Sequence, residues 1–223
     1  MRLGVLFSGG KDSMLALLKA KESHTIACLI TIVSANKESF MFHTPNIDLT
    51  RLQAESLKIP LVRVETKGQK EAELKDLRKA LESAKRKYKI QGVVTGAVRS
   101  TYQSTRIQQM CHDLNLWCFN PLWLLDQIEL LNEVLKRKMQ VIISGVFAEP
   151  LDKSYLGKKL DAAMVKKLAK AAETHKINPA GEGGEIETTV LFAQGFKKKL
   201  DVKGTVSYAN FSGTFNVTEA KLV

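Results

Sequence analysis

Little in this sequence favours a secreted or membrane-bound protein. It has only three cysteines in 223 residues, and Cys28, Cys111 and Cys118 form neither a C-x-x-C pair nor a metal-binding spacing. A run of about eighteen apolar residues, which a membrane span needs, is absent. The chain starts directly with a predicted strand, without a basic and apolar leader. We therefore expect a cytoplasmic protein with reduced thiols.

Acidic residues are scarce relative to basic ones. The chain has 23 Asp and Glu against 34 Lys and Arg, which gives a net charge of +11. Much of the excess lies on predicted helix surfaces, as at 85–87, and in the run 197–199. Solvated protein surface explains this better than an RNA groove, so nucleic acid is not an expected partner. A positive field still attracts ATP or an acidic protein.

The first half alternates apolar runs with amphipathic ones. Strands are predicted at 2–7, 25–33, 60–64, 92–96 and 116–119, with helices at 11–20, 49–57, 71–88 and 101–114. Alternating strands and helices with short connections predict a parallel sheet covered on both faces. The expected fold class is therefore α/β, with a doubly wound parallel sheet.

The pattern changes near Pro121. Helices are then predicted at 127–138 and 159–174, and β-like segments at 140–146, 189–192, 200–209 and 214–218. We interpret this half as a smaller α+β domain and predict two domains, 1–125 and 126–223. The apolar tail 214–223 is either an interface, which would allow a homo-oligomer, or an edge strand.

The most informative segment is Ser8-Gly9-Gly10-Lys11-Asp12-Ser13, directly behind an apolar strand. Two glycines followed by a helix allow successive backbone N–H groups to converge on an anion. The segment does not fit G-x-x-x-x-G-K-[ST], the common phosphate loop. It resembles the SGG-x-DS loop of the ATP pyrophosphatases, which cleave ATP between the α and β phosphates.

That resemblance implies a role for each loop residue. Gly9 and Gly10 would present backbone N–H groups, and Ser8 and Ser13 would donate hydroxyl hydrogen bonds to phosphate oxygens. Lys11 would neutralise phosphate charge. Asp12 is the expected Mg²⁺ ligand, because Mg²⁺ prefers one or two carboxylates together with phosphate oxygens and water. ATP and Mg²⁺ are thus the expected cofactors.

A second polar segment, 95–106, follows the predicted strand at 92–96. Ligands of such sheets bind where the strand order reverses, so we expect Gly96 and Arg99 to lie beside the first loop. Arg99, Gln103 and Arg106 have helix-like spacing and could share one face, with guanidinium groups suited to phosphate or carboxylate. Ordinary polar positions at a helix start remain the alternative.

The third segment, 178–188, combines three glycines with three carboxylates, Glu182, Glu185 and Glu187. We interpret it as a polar loop, too rich in glycine for a helix. Its carboxylates could hold a cation, bind ammonium or act as general bases. An exposed acidic turn is the alternative.

Together these segments resemble the diphthine–ammonia ligases. The resemblance rests on SGGKDS at 8–13, TGAVRS-x-YQ-x-x-R at 95–106 and NPAGEGGEIET at 178–188, with MFHTPN at 41–46 and PLW at 121–123. It implies an adenine nucleotide alpha hydrolase-like (PP-loop) fold in the short archaeal form. The implied reaction uses ATP and ammonium to amidate diphthine on translation elongation factor 2, giving AMP and pyrophosphate through an acyl-adenylate.

The resemblance also implies which residues act on ATP, which bind ammonium and which bind the substrate. Lys11 and Asp12 would act on ATP, and Glu185 or Glu187 would bind ammonium from solution and accept its proton. The trimethylammonium group of diphthine suits carboxylates or the aromatic side chains Tyr102, Trp123 and Phe42. The expected substrate-binding residues are Tyr102, Gln103, Arg106, Asn178, Glu182, Gly183, Gly184, Glu185, Glu187 and Thr188.

Two other functions stay open on sequence alone. A tRNA-modifying ATP pyrophosphatase of the thiolase or lysidine type shares the first loop. Thiolases use cysteine pairs, however, and Cys111 and Cys118 are seven residues apart on an apparent helix. A non-enzymatic ATP sensor is the other alternative, although Lys11, Asp12 and the carboxylate segment exceed what binding requires.

Overall fold

A five-stranded parallel sheet forms the first half of the chain. The computed structural model describes residues 1–35, 45–67 and 70–223, without the side chains of 70–72; Phe42 lies outside the described residues. The strands are β1 (Arg2–Leu6), β2 (Thr25–Ser34), β3 (Leu61–Thr66), β4 (Gly92–Val94) and β5 (Trp117–Phe119). Their order is β3-β2-β1-β4-β5, and every neighbouring pair is parallel.

Helices cover both faces of this sheet. They are α1 (Lys11–Lys21), α2 (Thr50–Leu57), α3 (Lys70–Tyr88) and α4 (Thr101–Asp113), with a 3₁₀ turn at Ile47–Leu49. Buried residues of α1 and α2 join one apolar cluster, and those of α3 and α4 join another on the opposite face. The expected doubly wound α/β fold is confirmed.

The second half forms an antiparallel sheet with two helices. Its elements are α5 (Gln127–Lys136), β6 (Gln140–Val146), a 3₁₀ turn at Lys153–Tyr155, α6 (Ala162–His175), β7 (Ile186–Phe192), β8 (Leu200–Ala209) and β9 (Ser212–Leu222). The strand order is β7-β6-β9-β8. Its apolar residues are continuous with the cluster around α1, so one core serves both sheets on this side. Among the described residues, none of the helices is both long and apolar enough to cross a bilayer.

Three sequence predictions about elements are wrong in detail. Helix α6 begins at Ala162 rather than at 159, because the Asp161 carboxylate accepts a hydrogen bond from Met164 N and caps the helix. Strand β7 begins at Ile186, so Glu187 and Thr188 lie on a strand rather than in a loop. Cys118 lies on β5 and not on the helix of Cys111.

Asn46 joins the two halves at the edge of β9. Its Nδ2 donates to Phe215 O at 2.9 Å, and its Oδ1 accepts from Val217 N at 2.9 Å. The side-chain amide thus satisfies one donor and one acceptor of a strand edge. Asn46 itself has a φ of 63°, a left-handed conformation that asparagine tolerates better than most residues.

We expect Asn46→Gly to lower the free energy of unfolding by about 1–3 kcal/mol, because glycine keeps the backbone conformation and removes two hydrogen bonds. Asn115→Gly is the matched control: Asn115 also has positive φ, at 51°, and it follows α4, away from β9. Urea unfolding of both variants checks the prediction. Equal losses in the two variants would show that backbone conformation, not the amide bonds, sets the stability.

Candidate active site

The anion loop, residues 8–13, follows β1 and leads into α1. Gly9 has a φ of +80°, and a Cβ there would lie 2.4 Å from Gln53 Oε1. A side chain at this position is therefore excluded by both conformation and contact. Ser13 Oγ donates to Gly10 O at 3.1 Å, and Ser8 Oγ lies 3.3 Å from Ser13 Oγ. The hydroxyls thus brace the first turn of α1.

The predicted second segment meets this loop where the strand order reverses. β1 lies between β2 and β4, and the segment after β4 returns across the start of α1. A Cβ on Gly96 would lie 2.9 Å from the backbone carbon of Asp12. Only glycine permits this approach, so the structure brings Gly96 beside the anion loop as the sequence predicts.

Lys11 and Asp12 carry the charge of the loop. The Lys11 side chain is 2% exposed, and its Nζ donates to Asp12 Oδ2 at 2.9 Å and to the Ala180 carbonyl. Asp12 Oδ1 is buried and has no hydrogen-bond partner among the described residues. A buried carboxylate oxygen without a donor fits a cation, which supports Asp12 as a Mg²⁺ ligand.

The outer edge of β7 is held by the anion loop. Val190 N donates to Gly9 O at 3.0 Å, and Lys11 N donates to Thr188 Oγ1 at 3.1 Å. Thr188 was predicted in a loop, yet it is 3% exposed and lies on the strand. The segment 178–188 is therefore an irregular loop, residues 178–185, which we call the carboxylate loop, followed by the first residues of β7.

Glu185 organises that loop. Its Oε1 accepts from Asn178 N at 2.9 Å and from Asn178 Nδ2 at 2.7 Å, and its Oε2 accepts from Gly183 N at 2.8 Å. Gln127 fixes the other end: Nε2 donates to Asn178 Oδ1 at 2.7 Å and Oε1 accepts from Ala180 N at 3.1 Å. With three donors bound, the Glu185 carboxylate has few lone pairs left for a ligand.

Glu182 links the loop to the segment before α4. Its Oε1 accepts from Arg99 N at 2.8 Å. Burial raises the pKa of this carboxyl, the Arg99 N–H lowers it, and the negative charge of Asp12 raises it. Glu182 and Asp12 therefore lie close enough for their charges to interact.

Glu187 is the carboxylate most affected by its surroundings. Removal from water raises its pKa to about 7; the Lys11 ammonium acts in the opposite direction, and Asp12 adds to the rise. A carboxylate with this pKa exchanges a proton near neutral pH, as a general base requires.

No three His, Cys, Asp or Glu side chains of the described residues come together as a metal site, so Glu182, Glu185 and Glu187 do not form one.

Of the predicted helical face, only Gln103 and Arg106 lie on α4. Arg99 precedes α4, whose N-cap is Ser100. Arg106 lies over the Tyr102 ring, 3.6 Å from its centroid, and donates from Nη1 to Tyr102 O at 3.3 Å. The link from this segment to the carboxylate loop is the backbone of Arg99. Roles for Tyr102, Gln103 and Arg106 in substrate binding stay predictions.

The cysteine pair lies away from the anion loop. A hydrogen bond from the Cys111 thiol lowers the pKa of Cys118, whereas Cys118 and burial raise that of Cys111. Both belong to the apolar cluster of α3 and α4, on the sheet face opposite α1. The two thiols therefore meet in the fold, although Cys111 is 1% exposed and has no route to the site.

Sequence reasoning missed Gln53. This residue of α2 is fully buried, and its Nε2 donates to Gly9 O at 3.0 Å and to Val190 O at 2.7 Å. It therefore connects the anion loop, β7 and α2. A lone glutamine in a short amphipathic helix carries no sequence signal for this role, because its partners are distant backbone carbonyls.

A parallel sheet with an anion loop at its strand-order reversal defines a nucleotide-binding enzyme of the α/β class. Models of the diphthamide synthase N-terminal and C-terminal domains match residues 1–117 and 126–223. The chain therefore belongs to the diphthamide synthase family. This membership confirms the resemblance and the expected class of enzyme, an ATP-dependent ligase of diphthamide synthesis.

Curated relatives described as diphthine–ammonia ligases are similar to most of this chain. The diphthine–ammonia ligase of Bos taurus is 33% identical to this chain, in an alignment that covers 91% of this chain and 83% of the relative. That of Schizosaccharomyces pombe is 33% identical over 90% of this chain but only 36% of its own length. A solved structure described as a predicted subunit of tRNA methyltransferase from Methanocaldococcus jannaschii covers 87% of this chain and 98% of its own, at 17% identity and a TM-score of 0.42. Likeness at that level carries no functional argument.

We expect Gln53→Met to raise the KM for ATP about tenfold or more with a smaller change in kcat, because loss of the amide lets Gly9 and its N–H neighbours shift. Val165→Ala is the control, since it removes buried carbon from α6, a helix outside both loops. The rate of AMP formation, measured at varied ATP concentrations, gives the KM and the kcat of each variant. If both variants changed KM alike, Gln53 would act through stability alone.

We expect Glu187→Gln to be more stable than the wild type at high pH. The wild-type carboxyl has a folded pKa of about 7 against an ordinary 4.5, so its protonated form favours folding at low pH and that contribution is lost as pH rises through 7. The gain should grow by about 2 kcal/mol between pH 5 and pH 8. Glu55→Gln, at an exposed position of α2, is the control. A pH-independent difference in thermal unfolding would contradict the assignment.

Proposed function

We propose that the protein amidates the carboxylate of diphthine on elongation factor 2, using ammonium and ATP and releasing AMP and pyrophosphate. The observation that supports this most strongly is the meeting of two loops. Lys11, in the anion loop, is bonded to Ala180, at the start of the carboxylate loop. The proposed sites for ATP and for a cationic amine therefore lie next to each other, joined by the bond between Lys11 and Ala180.

The first step requires activation of a carboxylate, which is a poor acyl donor. A diphthine carboxylate oxygen attacks the α-phosphorus of ATP, the bond to the bridging oxygen breaks, and pyrophosphate leaves. Lys11 and the N–H groups of the anion loop stabilise the charge that builds on pyrophosphate. Lys11 would exchange its bond to Ala180 for phosphate oxygens. Asp12 Oδ1 would hold Mg²⁺, which supplies further charge neutralisation.

The second step forms the amide. Ammonium gives a proton to Glu187, whose pKa of about 7 suits that transfer. The freed ammonia attacks the carbonyl carbon of the acyl-adenylate, AMP leaves with the former carboxylate oxygen, and the nitrogen releases its second proton to solvent. Glu185, occupied by its own loop, serves as the clasp that keeps Glu187 and Glu182 in place.

The division of labour follows the two halves. We propose that residues 1–125 bind ATP and residues 126–223 bind the acceptor, with ammonia arriving from solution. Cytoplasmic location suits an elongation factor as substrate. A homo-oligomer stays a prediction.

The reaction is tested with ATP, Mg²⁺, ammonium and elongation factor 2 that carries diphthine. We expect AMP, together with a modified peptide whose mass falls by the difference between a hydroxyl and an amino group. Lys11→Met should abolish AMP formation, because Lys11 meets the leaving pyrophosphate. Glu187→Gln should slow amide formation and remove the limb of its pH profile near the Glu187 pKa.

Other outcomes assign other functions. AMP without a change in peptide mass would retain the ATP chemistry and make tRNA the next acceptor to test, with strongly salt-dependent binding as its signature. ATP bound and left intact with both acceptors would favour a sensor.

A further inference from the structure

Large apolar side chains are exposed on both sides of the carboxylate loop. Trp123, Leu124 and Phe147 are 37%, 64% and 38% exposed. We call these three residues the apolar rim. Isolated exposed apolar residues are common on protein surfaces, so the rim gains meaning only from its placement.

Two sets of hydrogen bonds place Leu124 at the loop. Leu124 N donates to Val98 O at 2.8 Å, and the next residue, Arg99, binds Glu182. Three residues further on, Gln127 binds both Asn178 and Ala180. Leu124 is therefore bonded to the segment of Arg99 and precedes Gln127 by three residues, and both of these residues bind the carboxylate loop.

The backbone of Leu124 is unfavourable for its side chain. Its φ is 59°, in the left-handed region; the other described non-glycine residues with positive φ are three asparagines, four lysines and Phe211. Leucine is rare in this conformation, and such outliers concentrate at functional sites. Asparagine would suit the Leu124 backbone better than leucine does.

Phe147 borders the loop from the second sheet. Its N–H donates to Glu185 O at 2.9 Å. A Cβ on Gly145 would lie 2.6 Å from Phe147 Cε2 and 3.1 Å from Glu187 Cβ. Gly145 thus leaves room for the Phe147 ring to fold back over β6, beside Glu187.

The surface between the rim residues is acidic. Asp12 lies close enough to Glu182 and to Glu187 to act on the charge of both, in a chain whose net charge is +11, with Lys11 as the buried counter-charge. Apolar edges around a group of carboxylates fit a peptide segment with a cationic side chain: the apolar rim contacts the chain and neighbouring side chains, and the carboxylates face the positive group.

We propose that the apolar rim is the docking surface for the substrate loop of the protein acceptor. This proposal rests on the function proposed above and adds to it the residues that recognise protein rather than ATP. Trp123 and Leu124 would contact the substrate loop of the acceptor from the side of α4, and Phe147 would contact it from the side of β6. None of the three bonds to the anion loop.

The test uses Leu124→Asn and Phe147→Ser in the full chain. Each should raise the Kd and the KM for diphthine-bearing elongation factor 2 about tenfold, because each removes a buried apolar contact from the complex. The KM for ATP should stay at the wild-type value. Leu124→Asn should keep or raise the thermal midpoint, since asparagine accepts positive φ.

Trp117→Ser is the matched control. Trp117 is 67% exposed. It is the first residue of β5, at the amino end of the parallel strands, whereas the anion loop follows the carboxyl end of β1. It should leave the Kd and both KM values unchanged. Unaltered Kd in Leu124→Asn and Phe147→Ser, or an equal rise in Trp117→Ser, would overturn the proposal.

The two proposals fail separately. If the wild type binds the diphthine-bearing protein but yields no amide, the proposed reaction is wrong, and the rim is judged on the Kd values alone. If the wild type does not bind that protein at all, the docking surface is overturned as well.

Discussion

The arrangement of the whole site depends on one junction, the hydrogen bonds between the anion loop and the outer edge of β7. A sheet edge presents unpaired backbone groups, and here Gly9 O and the Gln53 amide satisfy the N–H and the carbonyl of Val190. Lys11 N adds a bond to the Thr188 hydroxyl. The same loop is the phosphate cradle that we propose, so a strand from the other half of the chain helps to set the shape of that cradle. Core packing supports the junction, since one apolar cluster extends from α1 into the second sheet.

Electrostatics explains why the site is acidic within a basic protein. Lys11 is buried, and a buried ammonium requires partners, which Asp12 and the Ala180 carbonyl provide. The carboxylates around it lie near one another, so desolvation and mutual repulsion hold the pKa of Glu187 up. The same crowding that disfavours a third charge creates a group able to exchange protons at neutral pH.

Local patterns predicted most elements and both loops. Apolar periodicity located the strands and helices because burial sets those periods, and the glycines marked the anion loop because few residues allow its turn. The contents of the site depended on tertiary pairing. Glu187 and Thr188 follow glycines in sequence, yet pairing with β6 makes them part of a strand. Gln53 acts on distant carbonyls, and Arg106 turns to Tyr102. No local pattern reports such partners.

The bond between Lys11 and Ala180 joins the two loops thermodynamically as well as sterically. A phosphate that draws the Lys11 ammonium away from Ala180 O changes the conformational balance of the carboxylate loop. By linkage, an acceptor that stabilises one arrangement of that loop must alter the affinity for nucleotide by the same factor. The affinities for nucleotide and for acceptor are thereby coupled through a single lysine contact.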